Sequence, residues 1–344
     1  MLILPSYKEI RNRLLIAGAK QIQPIIGEFE LTSRCNFTCA MCYVKENLPS
    51  TDLTTRTWKT IFKAAVDAGM VYALLTGGEP FTRPDFTELY TFLFDMGVKI
   101  TVYSNGSLLT DKIIETFTIR PPEFIGITLY GASDTTYFQV TGISNGFSMV
   151  DQAIEKLQKN GINVALRTLP IPNVVTDLDN IITYCRKRKL MLGYQMYIAV
   201  HRGCKIGENQ QRLSPEDLVM FEHKILYTFG KETVKHHLET DASQKTCAAL
   251  KSSVFITWDG YMQPCAIIDQ PRKKLIPELY LKTFRLLNKK IQTIGDCLAC
   301  HDCELVNFCM QCYARRQLEG NVSMCPKYLK NVAMLRREIT NEKF

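Results

Sequence analysis

Apolar residues in the first two hundred positions fall into two patterns that alternate along the chain. Short apolar runs predict six strands, at 26–32, 71–76, 98–104, 124–130, 162–169 and 191–200. Between the runs, apolar residues recur every three or four positions, which predicts helices such as 54–69. Strands that alternate regularly with helices indicate an α/β fold, with a parallel sheet that is either open or curled into a barrel.

The remaining segments have a different character. Residues 1–25 predict an N-terminal helical extension, and the polar segment 206–246 predicts a helical bridge. Cysteines concentrate in 247–330, and 331–344 reads as part of a C-terminal helix. In α/β barrels functional groups gather at the carboxyl ends of the strands, so we expect the chemistry just after the first strands.

Composition limits the location and partners of the chain. No apolar run among its 344 residues is long enough for a membrane helix, and the N-terminus lacks a signal-peptide pattern. We therefore expect a cytoplasmic protein with no membrane partner. The net charge is +8, but the basic residues are dispersed, so we expect no nucleic-acid partner. Thirteen cysteines in such a chain favour metal or cluster binding over disulfides.

Three cysteines follow the first strand directly, at Cys35, Cys39 and Cys42. Three thiolates can hold three irons of a four-iron cluster and leave the fourth iron open. A structural zinc site normally needs four protein ligands. The triplet therefore predicts an iron–sulfur cluster with an open coordination position.

The second strand ends in Thr76-Gly77-Gly78-Glu79-Pro80. Two adjacent glycines allow the backbone to approach a ligand closely, and Glu79 offers an acceptor to an amino group. Alone the segment could be a plain turn. Next to an open cluster it predicts part of a cofactor site.

Together these motifs resemble the radical S-adenosylmethionine (radical SAM) superfamily over residues 26 to about 200. The family usually has an aromatic residue before the third cysteine, whereas Met41 stands there in this chain. The resemblance implies a partial (β/α)6 barrel over 26–205. It further implies that the cofactor chelates the open iron and that Gly77, Gly78 and Glu79 hold its amine. Reductive cleavage would then yield a 5′-deoxyadenosyl radical that abstracts hydrogen from substrate.

Four more residues are candidates on the same resemblance. Ser104 and Asn105 end the third strand, where the family often contacts the ribose, although the segment could be a simple turn. Arg167 lies in the fifth strand and would bind the cofactor's carboxylate or pair with a structural acid. Cys204 follows the sixth strand near the expected mouth of the barrel, where it could donate a hydrogen atom as a catalytic residue, contact a cluster or be an inert loop thiol.

Eight cysteines lie in the C-terminal region: Cys247, Cys265, Cys297, Cys300, Cys303, Cys309, Cys312 and Cys325. Eight thiolates suit two sites of four, and tetrahedral zinc is the competing interpretation to iron–sulfur clusters.

Their spacing resembles the small cysteine-rich SPASM domain, which usually carries two auxiliary four-iron clusters. By that analogy the distal cluster would be held by Cys300, Cys303, Cys309 and Cys325. The nearer cluster would use Cys247, Cys265 and Cys312. Cys297 could be its fourth ligand, or one auxiliary cluster could keep an open iron, so the partition stays open.

The resemblance predicts an oxidoreductase that matures a ribosomally made peptide by crosslinking, oxidation or epimerisation. A dehydrogenase of a small molecule such as an aminoglycoside-type sugar is the alternative enzyme. A non-catalytic iron–sulfur electron carrier or zinc-stabilised module is the alternative outside enzymes. An electron donor such as flavodoxin or ferredoxin is expected. With about 25 residues before the first strand, a peptide would need a separate leader-recognition protein or direct docking.

Overall fold

The computed structural model describes residues 6–44, 51–199, 211–230, 247–293, 297–300, 302–310 and 312–342. The strands are β1 Ile26–Glu30, β2 Tyr72–Thr76, β3 Lys99–Ser104, β4 Phe124–Thr128, β5 Val164–Thr168, β6 Leu192–Tyr194, β7 Ser253–Ile256, β8 Tyr261–Gln263 and β9 Lys273–Lys274. They form one sheet in the order β6-β5-β4-β3-β2-β1-β7-β8-β9.

Helices separate and follow these strands. The first eight are α1 Tyr7–Gln21, α2 Thr55–Asp67, α3 Phe86–Asp95, α4 Asp111–Ile119, α5 Asp134–Thr141, α6 Gly146–Lys159, α7 Pro172–Thr176 and α8 Leu178–Arg188. The C-terminal ones are α9 Pro215–Phe229, α10 Tyr280–Gln292, α11 Tyr313–Leu318 and α12 Lys327–Glu342. None of these described helices is long and apolar enough to cross a membrane.

The parallel β/α arrangement predicted for the first part of the chain is confirmed. Strands β1 to β6 pair in parallel and in chain order. β6 is shorter than predicted because its pairing with β5 stops where β5 ends, at Thr168. Between Gln195 and Ala199 one further backbone bond to β5 is made, from the Gln195 amide to the Thr168 carbonyl.

The side chains of strand β1 alternate between the hydrophobic core under α2 and the inner face of the curved sheet. Phe29 points outward and packs on the buried face of α2, with its ring centroid 6.1 Å from Trp58 and 4.9 Å from Phe62. Side chains alternate along a strand, so Glu28 and Glu30 point to the other face, inside the curved sheet. An acidic pair therefore lies on the concave side of β1.

The cysteine-rich region extends the same sheet. β7 pairs in parallel with the free edge of β1, and Phe255 lies opposite Glu28. A tight turn at Gly260, whose φ of 81° suits glycine, leads into the antiparallel strand β8. Cys247 precedes β7 and Cys265 follows β8, so both lie beside the amino end of β7.

A buried ion pair joins the two C-terminal helices that close this region. The Arg336 guanidinium in α12 donates to both carboxylate oxygens of Glu222 in α9 and to the Phe308 carbonyl at 3.0 Å. Glu222 is only 4% exposed. Because Glu222 is buried and Arg336 is largely shielded from solvent, the carboxylate depends on the guanidinium for neutralisation.

Candidate functional site

A cavity of about 470 Å³ lies inside the curved sheet. Strands β1 to β5 and β7 all contribute to its wall. Cys35, Cys39 and Cys42 line it together with Gly77 and Gly78, so the first two motifs meet at one place. This is the arrangement expected when parallel strands carry functional residues at their carboxyl ends.

The cysteine loop is held by its own backbone and by the tip of β3. The Cys42 amide donates to the Cys39 carbonyl at 3.2 Å, and the Asn105 side-chain amide donates to Cys35 Sγ at 3.8 Å. Burial raises the pKa of Cys35 to about 11 and that of Cys39 to about 12. Both thiols therefore need a bound cation to ionise, which iron would supply.

Gly77 and Gly78 are required by the segment that precedes the cysteines. A Cβ on Gly77 would lie 2.7 Å from the Thr32 carbonyl oxygen, and one on Gly78 would lie 2.6 Å from that of Ser33. Backbone bonds of 2.8 Å, from Gly78 to Thr32 and from Glu79 to Arg34, close this contact. The two glycines therefore allow the segment that carries the cysteines to pack directly against the end of β2, which sets the position of the cysteine loop.

The Glu79 carboxylate joins the tips of β2 and β3. It is fully buried and accepts hydrogen bonds from the Phe81 amide at 3.0 Å, the Asn105 amide at 2.6 Å and the Ser104 hydroxyl at 2.9 Å. Burial raises its pKa to about 7, while these hydrogen bonds act in the opposite direction. Gly77 and Gly78 line the cavity, whereas the Glu79 side chain lies behind them, so its contact with the cofactor's amine stays a prediction.

Ser104 and Asn105 therefore form one network with Glu79. Asn105 Nδ2 also donates to Asn36 Oδ1 at 2.9 Å, and Asn36 donates to Ser107 Oγ at 2.8 Å. Ser104 and Asn105 still line the cavity, each 7% exposed. The structure brings both residues to the cysteine loop, where they can contact a bound ligand.

Arg167 is in the cavity wall opposite the cysteines' strand. Its guanidinium lies over the Tyr103 ring, 4.6 Å from the centroid, and Nη2 donates to Gln195 Oε1 at 3.3 Å. It has no ion pair with an acid among the described residues. A cation held by an aromatic face and an amide remains available to bind an anionic group.

Sequence reasoning missed Glu28. Its side chain lines the same cavity, and burial raises its pKa to about 7. It has no hydrogen bond or ion pair within the described residues. The signal was present in IGEFE, where Glu28 and Glu30 alternate with Phe29 on opposite faces of the strand.

Three of the later cysteines form what we call the proximal group: Cys247, Cys265 and Cys312. The Cys312 thiol interacts electrostatically with both other members, and Cys247 and Cys265 interact with each other. Ala266 and Ile267, which follow Cys265, line the central cavity. The proximal group therefore lies next to that cavity.

Five cysteines form the distal group: Cys297, Cys300, Cys303, Cys309 and Cys325. The last four line one small pocket between the cysteine-rich loop and α12. Cys297 is fully buried, forms a hydrogen bond with Cys300 and interacts electrostatically with Cys325. Burial raises the pKa of Cys300 to about 12. The structure thus places Cys297 with the distal cysteines rather than beside the proximal ones.

The two remaining cysteines, Cys185 and Cys204, belong to neither group. Cys185 is fully buried in α8 and belongs to the hydrophobic core. Cys204 lies outside the described residues. Among the described residues no three His, Cys, Asp or Glu side chains are close enough to bind a single metal ion, so each group is a set of neighbouring thiols.

Comparison with known sequences agrees with this geometry. The profile of the radical SAM superfamily matches residues 29–185. An AdoMet-dependent heme synthase of Methanosarcina barkeri is 23% identical over 333 residues, covering 85% of this chain and 92% of the relative. The sporulation killing factor maturation protein SkfB of Bacillus subtilis is 22% identical over 259 residues, covering 72% of this chain and 62% of the relative.

Solved structures share the fold. Streptococcus suis SuiB bound to S-adenosylmethionine superposes with a TM-score of 0.71 at 15% identity, covering 96% of this chain and 84% of SuiB. SuiB bound to its precursor peptide SuiA gives a TM-score of 0.70 at 14% identity, covering 95% of this chain and 82% of SuiB. The chain therefore contains a radical SAM domain, which covers residues 29–185.

Proposed function

We propose that this protein is a radical SAM/SPASM oxidoreductase that matures a ribosomally made peptide. The observation that carries the enzyme assignment is the shared cavity, where the cysteine triplet, the glycine pair and a cation without an acidic partner meet. An electron carrier needs no such cavity beside its cluster. The opposing charges of Glu28 and Arg167 inside it suit a polar ligand rather than a purely structural core.

Cys35, Cys39 and Cys42 would hold the four-iron cluster, and their convergence on the cavity fits that role. The Gly77 and Gly78 backbone would accept the cofactor's amine, because no Cβ blocks its approach. When bound, cluster and S-adenosylmethionine supply a 5′-deoxyadenosyl radical that abstracts hydrogen from the substrate.

The remaining residues of this chain orient the cofactor and exclude water. Arg167 would bind the cofactor's carboxylate, since its guanidinium is fixed on Tyr103 and has no acidic partner among the described residues. Ser104 and Asn105, pinned by Glu79, would contact the ribose. Apolar cavity residues such as Phe37 and Phe255 limit access of water to the reacting centre.

Seven of the eight later cysteines would hold two auxiliary clusters, and Cys297 would lie beside the distal one. Cys300, Cys303, Cys309 and Cys325 fit one four-thiolate site because they surround one pocket. Cys247, Cys265 and Cys312 fit a second site beside the cavity.

A peptide substrate is supported by two comparisons. SkfB is a maturation protein, and SuiB, whose fold this chain shares, has been solved with its precursor peptide. We further propose a flavodoxin or ferredoxin as electron donor and a separate protein, or direct docking, for leader recognition. The chain would act in the cytoplasm.

A second candidate is modification of a tetrapyrrole. It is favoured by the extent of the match to the heme synthase, which covers 92% of that relative. Under this alternative Arg167 would bind a carboxylate of the macrocycle.

One experiment tests the enzyme assignment, and a second distinguishes a peptide substrate from a tetrapyrrole substrate. Protein reconstituted anaerobically with iron and sulfide is incubated with dithionite and S-adenosylmethionine, and 5′-deoxyadenosine is measured. Absence of this product while about four irons bind at the triplet would refute the enzyme assignment. The same reaction is then run with the precursor peptides encoded beside the gene and with Fe-coproporphyrin. The mass of the product shows whether the peptide or the porphyrin has been modified.

A further inference from the structure

The proximal group has one thiol fewer than a four-iron cluster usually uses. Its described members are Cys247, Cys265 and Cys312. The distal group has five, so Cys297 is a surplus at the other site rather than the missing fourth ligand. Among the described residues, a fourth ligand for a cluster at the proximal site would therefore have to be of another kind.

Glu28 lacks a hydrogen-bond or ion-pair partner among the described residues, just as the proximal group lacks a fourth thiol. Its carboxylate lines the cavity, is partly buried, and forms no hydrogen bond or ion pair within the described residues. An isolated carboxylate is costly to bury, and proteins normally pair such a group or coordinate it to a metal. Arg167, the cation that lines the same cavity, is engaged with Tyr103 and Gln195 and makes no ion pair with Glu28.

The pairing of β1, β7 and β8 places Glu28 on the same side of the sheet as the proximal group. Glu28 lies opposite Phe255 in β7, and Phe255 lies opposite Gln263 in β8. Cys265 follows two residues later, so about 10 Å of sheet separates the β1 and β8 backbones. Glu28 interacts electrostatically with Cys247, and it lines the cavity together with Ala266, the neighbour of Cys265.

We propose that Glu28 is the fourth ligand of the proximal auxiliary cluster, which is thus bound by three thiolates and one carboxylate. The proposal rests on the proposed function, since it requires that the proximal group hold a cluster. Coordination to iron would neutralise the buried carboxylate, and the carboxylate would complete the three-thiolate site. It would also place this cluster in the wall of the substrate cavity, because Glu28 is itself a cavity residue.

The test uses the full chain with C35A, C39A and C42A, so that all iron signals come from the auxiliary sites. Protein reconstituted with 57Fe is compared by Mössbauer spectroscopy with and without E28A, E28Q or E28D. We expect one iron of about eight to carry the signature of an oxygen ligand in the parent. E28A and E28Q should lose that signature, and E28D should restore it in part.

Cyanide serves as a second probe, because a vacated iron binds an exogenous ligand. We expect E28A to bind 13C-cyanide at least about tenfold more tightly than the parent, detected by hyperfine coupling in the reduced protein. E30Q removes a negative charge from the same face of β1 and is the matched control. It should leave both the Mössbauer signature and the cyanide affinity unchanged.

Identical spectra and cyanide affinity in E28A and the parent would overturn the proposal, as would an equal effect of E30Q. Failure of the proposed function looks different. In that case the parent itself would contain zinc, or would bind no sulfide in the C-terminal region.

Discussion

The substitution G78A tests how the glycine pair supports the cysteine loop. A Cβ at residue 78 would lie 2.6 Å from the Ser33 carbonyl oxygen, roughly 0.8 Å inside the 3.4 Å where ordinary contact begins. The obstacle is backbone, so no side chain can rotate away. The Glu79 to Arg34 bond of 2.8 Å prevents the loop from separating freely.

The expected cost has two parts. Overpacking of this kind destabilises a protein by about 1–3 kcal/mol. The larger effect concerns function, because the loop that must move carries Cys35. Misplacing a reacting group by about 1 Å can reduce a rate by about 100-fold. We therefore expect G78A to retain its fold and to lose most S-adenosylmethionine cleavage.

The assay compares G78A with G193A after anaerobic reconstitution. Gly193 is an exposed strand glycine whose added Cβ would meet nothing closer than 3.6 Å, so the same substitution there should be silent. Iron content, cofactor affinity and 5′-deoxyadenosine formation are measured for both. Wild-type cofactor affinity and cleavage in G78A would refute the argument that the glycine pair sets the position of the loop.

Three further outcomes are expected. C300S should lower the iron content by about four atoms per chain, whereas C297S should leave it unchanged, and equal losses would make Cys297 a ligand. R336M should destabilise the protein by about 3–5 kcal/mol in urea unfolding, because Glu222 is left buried without its partner. The double variant with E222Q should recover part of that loss, and no recovery would contradict the pairing argument. The raised pKa of Glu79 means that the native state binds more protons than the unfolded state between pH 4.5 and about 7. Stability of the iron-free protein should therefore fall as pH rises through this range, and more steeply than in E79Q, whereas equal slopes would contradict the assigned pKa.

Local pattern predicted the first half of the chain well. The α2 prediction was correct in its extent and in its buried face, since Trp58 and Phe62 lie in the core. Local spacing alone is sufficient there because an amphipathic helix must bury its apolar stripe against the sheet. The cysteine triplet and the glycine pair were also predictable as site residues, since each directly follows a strand.

The role of Glu79 could not be predicted in the same way. Sequence suggested an acceptor for the cofactor's amine, and that role stays a prediction. The folded chain shows Asn105 and Ser104 donating to the carboxylate from the tip of the neighbouring strand. That contact joins residues more than twenty positions apart, and a motif does not show which strand tips become neighbours.

The sequence by itself determined which residues can do chemistry and on which strands they stand. It specified an α/β sheet and it predicted a cluster site at the cysteine triplet and two sites among the later cysteines, because periodicity and spacing are local properties. Only the tertiary structure decided that β7 joins the edge of β1 and that Cys297 belongs with the distal cysteines. It also placed Glu28 where it interacts electrostatically with Cys247. Such contacts depend on which strand edges pair, and that choice is settled by burial over the whole sheet rather than by any single segment.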